Sequence, residues 1–195
     1  MDFFTSDLHL FHKNICEFTD RKLVTNVEFH QEWLIDLWNS QVSAKDTVYI
    51  LGDVSFGKYQ ETAEVLNRMH GFKIVVEGNH DNQKMLQSLK ANGVIQDWTQ
   101  YKVVKIEDTS TVLFHFPIGS WYKQGHGSWH LHGHSHGNYA DTKGKMLDVG
   151  IDNSFNVYGE HCLFSKDDIV DYMQYQEIYT SDLHRSSARS QANYE

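Results

Sequence analysis

The sequence is poor in cysteine, in basic residues and in long apolar runs, and each shortage removes a class of explanation. Two cysteines in 195 residues, Cys16 and Cys162, are too few for a disulfide framework, and neither lies in a CxxC metal spacing. No apolar run approaches the ~18 residues that a membrane span requires. With 40% hydrophobic residues and a mean hydropathy of -0.53, the chain reads as a soluble globular protein. Its first residues, Met1-Asp2-Phe3-Phe4, lack the basic stretch and apolar core of a secretory signal, so the expected location is the cytoplasm, the host's if the gene is viral. Lys and Arg number 17 against 26 Asp and Glu, a net charge of -9, which argues against a long nucleic acid held through its phosphates. Any phosphate has to be attracted locally.

What the sequence does have is histidine, 13 in all, and histidine is the commonest protein ligand for transition metals. Their placement is informative. Short β-type runs at residues 3–6, 47–51, 73–76, 111–114 and 128–131 each end on a group that can hold a metal: Asp7, Asp53, Asn79 with His80, His115, and His134 with His136. In sheets flanked by helices, ligands bind beyond the carboxyl ends of the strands, so this repetition predicts one shared site. Helices are expected from a capping box at Thr25/Glu28 through an apolar stripe of Phe29, Trp33, Leu34, Leu37 and Trp38, over 59–69, over 82–89, and from Ser165/Asp168 to about Gln176. Residues 94–158 read as strands and Gly-containing turns. An α/β fold follows, with one domain over residues 1–179 and a polar, mobile tail over 180–195. The tail repeats Thr5-Ser6-Asp7-Leu8-His9 as Thr180-Ser181-Asp182-Leu183-His184, but without the partner motifs that would make a second site.

Asp7 and His9 are two residues apart, as are His134 and His136, and in extended chain that spacing turns both side chains to one face. Either pair alone is weak evidence. Gly78-Asn79-His80-Asp81 is far less expected by chance, and the ordered set is stronger still. Two carboxylates, four imidazoles and an amide oxygen, without thiolate, suit Mn, Fe, Ni, Co or Zn. Two divalent cations against Asp7 and Asp53 leave about +2 of local charge, enough to draw a phosphoryl group to an acidic protein. Such a pair also lowers the pKa of a bridging water. Gly52, Gly78 and Gly133 each precede a candidate ligand, where a missing Cβ permits a sharp turn or a close approach.

Together, Asp-x-His, Gly-Asp, Gly-Asn-His-Asp, a lone His and Gly-His-x-His resemble the calcineurin-like metallophosphoesterases, over residues 1 to about 160. The similarity is greatest to small bacterial and phage phosphoesterases, with Trp38-Asn39 and Asp148-Val149-Gly150 adding to it. The resemblance implies a four-layered αββα sandwich, two mixed β-sheets flanked by helices. It implies one metal on Asp7, His9, Asp53 and His136 and a second on Asp53, Asn79, His115 and His134, with Asp53 bridging. It also implies that His80 donates a proton to the leaving oxygen and that Asp81 orients it.

His12 and Asn14 follow the first motif closely enough to touch a substrate phosphate. Trp121, Tyr122 and Lys123 read as loop packing rather than a stacking platform, while His126, His130 and His132 are left out of the site. His30, His70, His161 and His184 read as surface or capping residues. The expectation is therefore a metal-dependent hydrolase of a small phosphodiester, with manganese as the working metal. A phosphomonoesterase and a non-catalytic interaction scaffold are the rivals. The oligomeric state is left open.

Overall fold

Alternation along the short strands calls for cover on both faces of one sheet. Phe3, Val48, Ile50 and Val75 are buried in one cluster, and Phe4, Leu51 and Val76 in another. The computed structural model describes residues 1–19, 21 and 26–179. In it β1 (Asp2–Thr5), β2 (Thr47–Ile50), β3 (Phe72–Val76) and β4 (Asp97–Thr99) run parallel, side by side. A second sheet joins β5 (Lys102–Ile106) to β6 (Thr109–Leu113) as an antiparallel pair and adds β7 (Trp129–His132) and β8 (Met146–Asp148) in parallel. The first sheet is completed by β9 (Phe164–Ser165), antiparallel to β1. Both sheets are therefore mixed.

Between the sheets Phe4, Leu51 and Val76 meet Leu113, Leu131 and Leu147. Beyond the first sheet, α2 (Val27–Gln41), α3 (Tyr59–Arg68) and α4 (Gln83–Ala91) set Leu34, Trp38, Leu66, Leu86 and Leu89 against Val48, Ile50 and Val75. Beyond the second sheet the layer is thin: Val112 and Met146 pack on Trp121, in a loop with a 3₁₀ turn at Gln124–His126. The remaining helices are α1 (Ile15–Phe18), α5 (Ile151–Tyr158) and α6 (Lys166–Met173), the last contributing Ile169 and Met173 to the inter-sheet core. Two mixed sheets flanked by helices make an α/β sandwich, as expected. Trp38 and Asn39 lock α2 to the end of α3: the indole donates to His70 O at 2.9 Å and the amide to Arg68 O at 2.9 Å.

Several local expectations need correction. The cap of α2 is Asn26, whose side chain accepts from Phe29 N at 2.8 Å; Thr25 lies outside the described residues. Phe29 is 61% exposed, so the buried stripe starts later, with Leu34 and Trp38. α5 stands in a region read as strand and turn. It begins at Gly150, which offers no side-chain cap, and ends at Gly159 (φ +77°) after only eight residues, so its capping signal is weak. His30 is fully buried rather than at the surface, and His130 and His132, left out of the site, are fully buried along β7. Trp121 is loop packing, donating to Ser128 O at 3.2 Å. The tail and its repeat lie outside the described residues.

Candidate metal centre

Two loops carry the acidic motifs, and the backbone ties one to the other. Asp7 N donates to Gly52 O at 3.0 Å, His9 N to Asp53 O at 2.9 Å and Leu10 N to Val54 O at 3.0 Å. Along this zipper the chain is not extended: Asp7 (φ 58°), His9 (φ 49°) and Asp53 (φ 54°) are left-handed, as are His134 (φ 68°) and His136 (φ 48°). Convergence of Asp7 with His9, and of His134 with His136, therefore comes from left-handed turns past the strand ends and not from the pleat. For non-glycine residues such turns cost about 1–2 kcal/mol each, and they persist only where the surroundings hold them. Close packing leaves no room for a side chain beside the ligands: a Cβ at Gly133 would overlap Ser6 Oγ and come within 2.6 Å of Asp7 Oδ2.

The carboxylates lie at the bottom of the cluster, with Asp7, His9, Asp53 and His115 all buried, while Asn79, His80 and His134 are exposed at its mouth. His9 Nε2 is 3.7 Å from Asp7 Oδ1 and 3.5 Å from Asp53 Oδ2. His115 Nε2 is 3.6 Å from Asp53 Oδ1, and His136 Nε2 is 3.9 Å from Asp7 Oδ1. Two sets converge, Asp7 with His9 and His136, and Asp7 with Asp53 and His115, ligand atoms within 4.8 Å of one another in each. Asp7 belongs to both sets, and Asp53 turns a different oxygen to each of His9 and His115. Asn79 Oδ1 lies 2.9 Å from His115 Nε2, and the His134 ring is 5.2 Å from the His115 ring. All seven candidate ligands are thus brought together.

The donor set fits a divalent cation. His115 Nδ1 is 2.6 Å from Leu51 O and must donate there, which turns Nε2 toward the Asn79 carbonyl oxygen at 2.9 Å. With Nε2 unprotonated, the two atoms suit one shared cation. Asp7 Oδ1 and His9 Nε2 are buried with no hydrogen-bond partner among the described residues, an expensive state for polar atoms. Burial pushes the Asp53 carboxyl up, but His9, the charge of His115 and the His80 N–H outweigh it and hold it at about 2. Burial lowers His9, and contacts with Asp53 and Asp7 more than reverse that.

Of the other predicted residues, His80 faces the centre, its imidazole about half exposed and Nε2 4.0 Å from Asp53 Oδ2. Its ring packs beside Phe56 at 4.9 Å. Asp81 does not orient it. The Asp81 carboxylate accepts from Gly78 N at 2.9 Å, Asp53 N at 3.0 Å and Val54 N at 2.9 Å, so it pins two ligand loops together. His12 stands behind His9, Nδ1 to Nδ1 at 3.1 Å, stacked on Phe56 at 4.4 Å. Asn14 is exposed and precedes α1 with no side-chain cap.

Sequence reasoning missed the supports. Asp148 accepts from Ser135 Oγ at 2.6 Å and Gly137 N at 2.9 Å, shaping the Gly-His-x-His turn. Asp152 meets His136 Nδ1 at 2.6 Å, and Arg21 reaches Asp152 at 2.8 Å. Asp152 trails Asp148-Val149-Gly150 closely enough to have been suspected; nothing in the sequence around Arg21 marks it.

No family model matches the chain. The Gene 66 protein of Mycobacterium phage D29 is 31% identical over 177 residues, 76% of this chain and 86% of that one. The uncharacterized protein MJ1445 of Methanocaldococcus jannaschii is 30% identical over 155 residues, 75% of this chain and 79% of that one. Among solved structures, the protein of unknown function AQ665 from Aquifex aeolicus has a TM-score of 0.63 at 23% identity, covering 88% of this chain and 98% of its own, which shows a shared fold. By sequence, this chain belongs to the family of MJ1445 and the mycobacteriophage Gene 66 protein.

Proposed function

We propose that this chain is a hydrolase of small phosphodiesters that works with two divalent cations, manganese being the working metal. The observation that carries the reading is the set of ligand atoms turned toward one another at the strand ends: His115 Nε2 with Asn79 Oδ1, and His9 Nε2 with Asp7 and Asp53. One cation would be held by Asp7, His9, Asp53 and His136, the other by Asp53, Asn79, His115 and His134. When bound, such a pair neutralises phosphoryl oxygens and provides a nucleophile at neutral pH.

The chain's own residues supply the rest. Asp81 and the paired loops hold Asp53 in place, so the cluster needs little rearrangement as charge develops. His80, at the open side and steadied by Phe56, is the group that delivers a proton to the leaving oxygen. Beside His136 lies a groove of about 210 Å³ lined by Glu17, Phe18, Asn138, Asp152 and Asn156 among others, with no Lys or Arg in its lining among the described residues. An uncharged organic group fits it better than a second anion. This supports a diester over a monoester dianion.

The test is a panel with Mn²⁺ comprising bis(p-nitrophenyl) phosphate, p-nitrophenyl phosphate and nucleotide diesters. Higher kcat/KM on the diesters is expected. A consistent monoesterase preference across metals would overturn the diester reading, and no turnover by metal-loaded protein would overturn the enzyme.

A further inference from the structure

We infer that Arg21 is a positioning residue that makes His136 a ligand, so that one of the two cation sites depends on a side chain outside every ligand motif. This rests on the two-cation reading and adds an asymmetry to it. Arg21 is 1% exposed, and each of its nitrogens has a partner. Nε donates to Asp152 Oδ1 at 2.8 Å, and one terminal nitrogen donates to Asp152 Oδ2 at 3.0 Å and to Asp7 O at 2.6 Å. The other donates to Leu8 O at 3.1 Å and lies 3.1 Å from His30 Nε2. One planar fork thus grips the backbone of the first motif and the carboxylate behind the last.

Asp152 Oδ2 also meets His136 Nδ1 at 2.6 Å. An ionised carboxylate only accepts, so the proton is on Nδ1 and the Nε2 lone pair is directed at the centre, toward Asp7 Oδ1. A buried Arg–Asp pair is by itself weak evidence for stability, because desolvation offsets most of the attraction. Its geometry here has a more specific consequence, which is to fix a tautomer and a ring plane. Among the described residues no such guanidinium–carboxylate pair acts on the other site, where His115 takes its orientation from the Leu51 carbonyl. Losing the Arg21–Asp152 pair should therefore disable the Asp7, His9, His136 site and spare the site of Asn79, His115 and His134.

Asp152→Ala is the sharpest variant. It removes the acceptor that holds the proton on His136 Nδ1, so the neutral ring reverts to the Nε2-protonated form, where a cation cannot bind. Arg21→Gln is the companion. The intact protein should hold two Mn²⁺ by elemental analysis and give a spin-coupled EPR signal. Both variants should hold about one, with the spectrum of isolated Mn²⁺ and ~10- to 100-fold weaker binding of the second ion. Two-bond ¹H–¹⁵N NMR on metal-free protein should find His136 protonated at Nδ1 in the parent and at Nε2 in Asp152→Ala. Retained two-ion binding, an unchanged tautomer, or equal loss of both ions from folded variants would each overturn the role of Arg21. A parent protein that binds no ion would overturn the proposed function, and the tautomer measurement would still decide the role of Arg21.

Discussion

His80 and Asp81 are neighbours in sequence with different work, and substitution should separate them. His80 holds no place in either convergent set, so His80→Ala should keep both metals while losing rate where the leaving group needs a proton. General acid catalysis contributes ~10²- to 10⁴-fold. The loss should be large on nucleoside or alkyl esters and small on p-nitrophenyl esters; equal losses on both would instead make His80 a charge stabiliser. Asp81→Asn should behave otherwise. Its amide would turn hydrogens toward backbone N–H groups of Gly78, Asp53 or Val54. A cost of about 1–3 kcal/mol follows from the unsatisfied donors, with equal rate losses on both ester types, read by urea titration beside kinetics. Asp53→Ala removes the carboxylate that faces both His9 and His115 and should abolish turnover and lower bound metal. Full two-metal occupancy with activity would show that Asp53 is not shared.

At the level of elements, the site hangs on strand ends that are stabilised elsewhere. Removing the α2 cap by Asn26→Ala should cost about 1 kcal/mol and leave kinetics unchanged, because α2 packs on the outer face of the first sheet. β7 gives a pH test. Burial, aided by the charge of His132, lowers His130 from the usual 6.5 to about 3. The folded state then keeps His130 neutral while the unfolded chain takes up a proton below about 6.5, so stability is present above that pH and falls on acidification toward 3. The slope is on the order of 1 kcal/mol per pH unit. His130→Gln should flatten that part of the stability curve relative to the parent, measured on metal-free protein. Identical slopes in the two proteins would mean that His130 is not held neutral.

For the whole molecule, the clusters beneath the sheets do not include the ligands, so chelation should leave a cooperatively folded chain. Cations that bind only the folded state stabilise it by about 2.7 kcal/mol at a hundredfold excess over Kd. Removing them should lower Tm by several degrees, restored by Mn²⁺, and a chain that unfolds outright with chelator would contradict this separation of core and site. The net charge of -9 carries a second expectation. Long DNA should not bind in a salt-dependent way, as fluorescence anisotropy between low and physiological salt would report.

Much of the site was legible in the sequence because each ligand follows a short β run, and strand ends share an edge of a sheet once helices cover its faces. Ordered motifs were therefore enough to name Asp7, His9, Asp53, Asn79, His115, His134 and His136 as neighbours. The alternation of short strands and helices in the first half likewise announced a sheet core with helices outside. What the local pattern could not convey is how the ligands are aimed, because left-handed φ at Asp7, His9, Asp53, His134 and His136 is imposed by the zipper between the loops. Nor could it reassign Asp81 from its histidine neighbour to three backbone N–H groups, since those are supplied by residues distant in sequence as well as near. Arg21 and Asp152 are 131 residues apart and share no motif. Only the folded chain brings that guanidinium between the first ligand loop and the last, where burial makes its hydrogen bonds decide which nitrogen of His136 faces the centre.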